Sequence, residues 1–122
     1  MLEYEELTER IIGAAIEVHR KLGPGFLESI YEAALCIEFG MRELRFVQQM
    51  LVPIFYKEIQ IGQHRLDLLV EEEIVVELKS IKCIEDVHFA VVRSYLRATG
   101  KKHGLLLNFA LPTLQIKRVI SQ

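Results

Sequence analysis

The sequence predicts a mixed α/β fold: a β-sheet flanked by helices, with elements in the order ααβββαββ. Three observations predict it. Residues 65–70 and 74–79 are two short aliphatic runs joined by Glu71-Glu72-Glu73, which is the pattern of an antiparallel hairpin. A helical pattern over 86–99 follows and leads into another apolar run, as a crossover between parallel strands requires. Two long segments with helical apolar spacing precede all of this. With 122 residues, the chain is expected to form a single domain, 1–122, large enough to bury a core.

Taken in order, residues 5–22 carry Leu7, Ile11, Ile12, Ala15, Ile16 and Val18 at helical spacing. Gly23-Pro24-Gly25 stops that helix. A second helix is expected from Phe26 to about Leu44, through Leu27, Ile30, Tyr31, Ala34, Leu35 and Ile37, with Gly40 its weak point. Residues 46–56 read as a strand in which Pro53 implies an edge position or a bulge. The hairpin spans 63–80. If its loop is the three glutamates, Val70 faces Ile74, Leu68 faces Val76 and Leu66 faces Leu78, so one face is wholly apolar. The other face then pairs Leu69 with Val75, Asp67 with Glu77 and Arg65 with Lys79, and a slip of one residue would break both faces. Asp86 is the expected cap of a helix running to about Thr99 and ended by Gly100. Residues 105–109 form a short buried strand, and 114–120 alternate like a half-exposed final strand.

Hydrophobic residues make up 51 % of the chain and charged ones 26 %, as in soluble globular proteins and unlike disordered ones. Fifteen Lys and Arg against 17 Asp and Glu give a net charge of −2, so no basic footprint marks a nucleic-acid binder. A bound metal ion could supply local positive charge instead. Cys36 and Cys83 are isolated in apolar stretches and are expected to be buried, reduced thiols. The acidic start has no signal-peptide pattern and no apolar run approaches a membrane span. The expectation is a cytoplasmic protein with no membrane contact.

The hairpin holds the chemistry. Asp67 and Glu77 face each other at roughly 5 Å between Cβ atoms, where like charges repel. Lys79 stands two residues away on the same face. Folding gives no reason for that arrangement, whereas a divalent cation does. The hairpin alone is equally readable as a solvated face with surface ion pairs.

Asp67-x9-Glu77-x-Lys79, together with Gly25-x-x-Glu28-x-x-Tyr31 upstream, resembles the GxxExxY protein family of the PD-(D/E)XK nuclease superfamily. The phrases Tyr95-Leu96-Arg97-Ala98-Thr99-Gly100 and Gly104-Leu105-Leu106-Leu107-Asn108-Phe109 support it, and the resemblance spans roughly residues 7–120. It implies a restriction-endonuclease-like core and hydrolysis of phosphodiester bonds in nucleic acid, DNA or RNA, with Mg²⁺ or Mn²⁺. Asp67 and Glu77 would be metal ligands, with the backbone carbonyl of Leu78 a further one and Glu28 completing the cluster directly or through water. Lys79 would orient or deprotonate the attacking water, or stabilise charge on the phosphate. Glu28 is also explained as a glutamate favoured at a helix N-terminus.

Other candidates for substrate contact are Tyr31, His88, Arg93 and Arg97. Each has a plainer reading: packing for Tyr31, a helix cap for His88, a solvated stripe for the two arginines. His19, His64 and His103 read as structural. Two positions depart from the family pattern. No proline precedes Asp67, and Val91 replaces the glutamine usual four residues before Tyr95. The alternative function is a non-catalytic module, binding nucleic acid or protein, that keeps the nuclease fold. A homodimer stays open.

Overall fold

The structure, a computed structural model, describes residues 2–121. The elements are α1 (Leu2–Leu22), α2 (Glu28–Met41), β1 (Phe46–Tyr56), β2 (Ile59–Val70), β3 (Ile74–Lys79), α3 (Asp86–Thr99), β4 (His103–Asn108) and β5 (Gln115–Ile120). The strands form one five-stranded sheet in the order β1-β2-β3-β4-β5. Only β3 and β4 run parallel, joined through α3; the other neighbours are antiparallel. This is the mixed, helix-flanked sheet expected from the sequence, and its architecture is restriction-endonuclease-like. No helix among the described residues is long and apolar enough to cross a membrane.

Each face of the sheet has its own core. On one side α1 and α2 bury Ile11, Leu35 and Phe39 against Leu68, Val70, Ile74, Val76 and Leu78. On the other, α3 buries Val92 and Leu96 against Leu69, Val75 and Leu106. Gly104 lets α3 lie close to β4, since a Cβ there would come within 2.8 Å of Val92 Cγ1.

The limits of β1 and α3 match the sequence reading, and other ends differ for local reasons. α2 begins at Glu28, because Leu27 is extended (φ −73°, ψ 156°) and serves as the N-cap. It ends at Met41 rather than near Leu44. Glu43 takes a left-handed φ of 60°, and Leu44 N–H reaches back to Phe39 O at 2.9 Å, a Schellman closure achieved without glycine. β2 starts at Ile59 because Lys57 (φ 49°) and Glu58 (φ 68°) make a two-residue hairpin turn. The N-cap of α3 is Glu85, not Asp86: Glu85 N–H donates to His88 Nδ1 at 2.8 Å. Pro53 lies on the edge strand, next to a register shift at Ile54/Phe55. Both cysteines are free, but only Cys36 is partly buried; Cys83 lies exposed in the loop before α3, so the expectation of a second buried thiol is corrected. Burial, with the nearby Glu32 charge, pushes the Cys36 thiol up to about 11.

The β2–β3 register is the expected one where the ladder exists: Val70 pairs with Ile74, Leu69 with Val75 and Leu68 with Val76. Beyond Leu68 the ladder stops. Leu66 does not face Leu78; it packs on the α3 side with Leu69 and Val75. The cause is a coordinated kink. Gln49 has φ 54° and sits between the pairs Gln48–Leu68 and Met50–Leu66. Across this point β1 changes face, from Phe46 against the α1–α2 core to Met50 and Val52 against α3, and β2 changes face with it.

Candidate functional site

The point where β2 leaves β3 is filled by two carboxylates. Asp67 N–H donates to Glu77 Oε2 at 2.8 Å, and Leu78 N–H donates to Asp67 Oδ2 at 2.9 Å. Each acid thus satisfies a main-chain amide of the opposite strand where a ladder bond would otherwise stand. The structure brings Asp67 and Glu77 together as the spacing predicts, through this reciprocal clasp rather than through a backbone pair.

The clasp is electrostatically costly. Glu77 is 4 % exposed. Burial, then the Asp67 charge and more weakly that of Glu28, push its carboxyl up to about 8, against the opposing pull of the Asp67 amide and Lys79. The Asp67 carboxyl is also raised, chiefly by burial and then by the charge of Glu32, while the Leu78 amide, Lys79 and Gln49 work the other way. Lys79 lies half-buried at the end of β3, opposite Asn108 of β4, and its ammonium makes no hydrogen bond or ion pair among the described residues. Asn108 is fully buried and ties down the chain just beyond, accepting from Ile81 N–H at 3.1 Å and donating to Ile81 O at 2.9 Å.

Glu28 opens α2, exposed, and its side chain has no partner among the described residues. Among the described residues no three His, Cys, Asp or Glu side chains are gathered as a ready metal shell, and Glu28 bears on the pair through its charge, which adds to the raising of Glu77. The donor set nevertheless suits a hard cation. It offers two carboxylates whose charged forms are disfavoured by burial, Glu77 further by the Asp67 charge, beside one ammonium unpaired among the described residues. Mg²⁺ sites commonly use one or two carboxylates and fill the rest with water.

Two residues near the site were not singled out by sequence reasoning. Glu32, on α2, is 9 % exposed and accepts from the side-chain amides of Gln48 (2.7 Å) and Gln49 (2.9 Å to each oxygen). Its spacing of four from Glu28, as an acid inside an apolar helical run, was the available signal. Tyr95 is buried on α3, edge-on to His64 at 4.7 Å between ring centroids. Its hydroxyl is pushed up to about 12 by burial and by the charges of Glu77 and Asp67.

The remaining candidates resolve as follows. Tyr31 is wholly buried, its ring stacked on Phe109 at 4.5 Å, and its hydroxyl donates to Gly23 O at 2.6 Å while accepting from Phe26 N–H at 3.2 Å. It braces the glycine loop and presents nothing to a substrate, so the contact expected of it is corrected. His88 serves the α3 cap through Nδ1. Arg93 is half-buried and Arg97 exposed, and neither has an ion-pair partner among the described residues. Val91 is 36 % exposed and offers no polar group to the site. His19 is tied to Leu111 O at 2.8 Å and His103 packs on Tyr4, in keeping with structural roles.

Three comparisons bear on this geometry. No curated protein matches the chain in sequence. In fold, it resembles the crystal structure of SSO0001 with a TM-score of 0.58 at 16 % identity, over 76 % of this chain and 49 % of that one. The chain therefore spans about half the length of that protein, and at this identity the likeness speaks for the fold. The sequence matches the PD-(D/E)XK nuclease superfamily over residues 5–119. With nearly its whole length matched and its acids and lysine at the open end of β2 and β3, the chain belongs to the PD-(D/E)XK nuclease superfamily.

Proposed function

We propose that the chain is a divalent-metal-dependent phosphodiesterase acting on nucleic acid, working as one domain over residues 1–122, and that within its superfamily it belongs to the GxxExxY group. The reciprocal Asp67–Glu77 clasp carries this reading. Burying the two acids is costly to the fold, since burial raises both and the Asp67 charge raises Glu77 further, and among the described residues the cation that offsets them is the ammonium of Lys79. Asp67 and Glu77 would hold Mg²⁺ or Mn²⁺, with the Leu78 carbonyl as a further ligand and Glu28 reached through water. Bound there, the cation supplies Lewis acidity toward a phosphodiester.

The chain's own residues then divide the work. A cation held between Asp67 and Glu77 would favour their charged forms, which burial disfavours. Lys79 directs its free ammonium at the attacking water or at a phosphate oxygen as charge develops. Arg93 and Arg97, unpaired on α3, meet the phosphate backbone beside the site. Two unbridged cysteines suit a reducing, cytoplasmic setting.

One observation favours a second reading, a nucleic-acid- or protein-binding module without turnover. Val91 leaves α3 with no polar side chain where a glutamine would reach the site. Mixed single- and double-stranded DNA and RNA, incubated with Mg²⁺ or Mn²⁺, test both readings. Cleavage by wild type and its loss in Lys79→Ala establish the nuclease. Metal uptake and binding with no turnover on any substrate establish the module.

A further inference from the structure

Glu32 is a buried acid with no part in the proposed chemistry and no cationic partner among the described residues. Burying a carboxylate demands compensation, and among the described residues it comes from two neutral amides. The Gln49 nitrogen that donates to Glu32 at 2.9 Å also lies 3.4 Å from Asp67 Oδ1. A primary amide has two N–H groups, so one nitrogen can serve both acids. Gln49 itself is held in the left-handed region (φ 54°), which is costly for any residue but glycine. That kink lies at the point where β1 and β2 change face, beside Asp67. Three elements therefore meet at one amide: Gln49 from the kink of β1 stands between Glu32 of α2 and Asp67 of β2.

We propose that Glu32 is a positioning residue that, acting through the side-chain amide of Gln49, orients the Asp67 carboxylate for uptake of a divalent cation. The inference rests on the metal site proposed above. Its physical basis is the acceptor-only character of a carboxylate. Glu32 can only accept, so Gln49 must turn its NH₂ end inward, and that end then faces Asp67 Oδ1. Oδ2 is meanwhile pinned by the Leu78 amide. The carboxylate is needed to dictate which way the amide points.

The test is Mn²⁺ affinity, measured on the full chain by calorimetry and by the metal-induced rise in melting temperature. Gln49→Met keeps the stem and removes both donors. Glu32→Gln keeps the volume and a hydrogen bond to Gln49 but lets both amides reverse. Each is expected to weaken Mn²⁺ binding by about 10- to 100-fold, the scale for losing a residue that orients a ligand. Glu32→Gln should do so with an almost unchanged melting temperature of the metal-free protein. Because Glu32 acts through Gln49, the double variant should bind Mn²⁺ no more weakly than Gln49→Met alone. Wild-type affinity in Gln49→Met, or additive losses in the double variant, would overturn the inference while leaving the metal site standing. A wild type that takes up no Mn²⁺ removes the metal site and this inference together.

Discussion

Strands β2 and β3 behave differently at their two ends. At the loop end, Val70, Leu69 and Leu68 pair in register with Ile74, Val75 and Val76, all buried against one helix layer or the other. At the other end, one residue further on, Asp67 and Glu77 replace aliphatic side chains and the ladder gives way to carboxylate–amide bonds. The closed end is held by apolar burial at roughly 25 cal/mol per Å² and asks nothing of solvent or ions. At the open end hydrogen bonding is satisfied, yet the acids are left disfavoured in their charged state. One hairpin thus contains a stretch selected by folding and a stretch that folding alone does not explain.

The sharpest way to break the comparison is at Lys79, beside the open end. Lys79→Met keeps the apolar stem and removes the charge. Any cleavage rate is expected to fall by about 100-fold or more, while melting temperature stays nearly unchanged. Equal cleavage by wild type and variant in a nuclease assay would withdraw the lysine from the mechanism.

Metal response comes next. Mg²⁺ or Mn²⁺ should raise the melting temperature of the wild type by mass action, since only the folded chain brings the two acids together. Asp67→Asn combined with Glu77→Gln should abolish that rise and leave the metal-free protein as stable or more so. A rise that survives in a thermal melt of the double variant would place the cation elsewhere.

The pH dependence sharpens the contrast without metal. The Glu77 carboxyl is raised from an ordinary 4.5 to about 8 in the folded chain. Between those values the folded state keeps a proton that the unfolded state has lost. Stability should therefore fall as pH rises through this window, by up to about 1.4 kcal/mol per pH unit, and level off above it. Urea titrations of Glu77→Gln should lack that slope, and a variant at the closed end such as Val75→Ala should retain it despite being less stable throughout.

The smallest effect separates the two thiols. Cys83 is exposed, whereas Cys36 is partly buried with its thiol pushed up to about 11. An alkylating reagent near pH 8 should modify Cys83 first, and mass spectrometry of the early product should find Cys36 largely unreacted. Equal labelling would mean that α2 opens readily.

Much of the fold was legible residue by residue. The limits of β1 and α3, the break at Gly23-Pro24-Gly25 and the Val70–Ile74 register all follow from periodicity and turn chemistry, which are local. The nearness of Asp67 and Glu77 was legible from the hairpin spacing, although the pair expected across a continuous ladder meets instead where the ladder has stopped. Local patterns stop at the kink. Lys57-Glu58 lacks the usual Asn-Gly or Asp-Gly turn signal, and Gln49 gives no warning of a left-handed residue inside a strand.

By itself, the sequence determined the order of elements, the register of the hairpin from Val70–Ile74 to Leu68–Val76 and the acids that share its end. Periods of 3.6 and 2 residues, and the breakers between them, are properties of the chain alone. Only the tertiary structure decided that Leu66 crosses to the α3 side, that His88 closes a cap, that Tyr31 is locked away from solvent, and that Glu32 and Tyr95 stand near Asp67. Those outcomes depend on which surfaces meet: α2 reaches Asp67 only across the kinked β1, and α3 only after the crossover sets it against the opposite face. Burial and hydrogen-bond partners arise from such meetings between distant segments, and no window of sequence contains them.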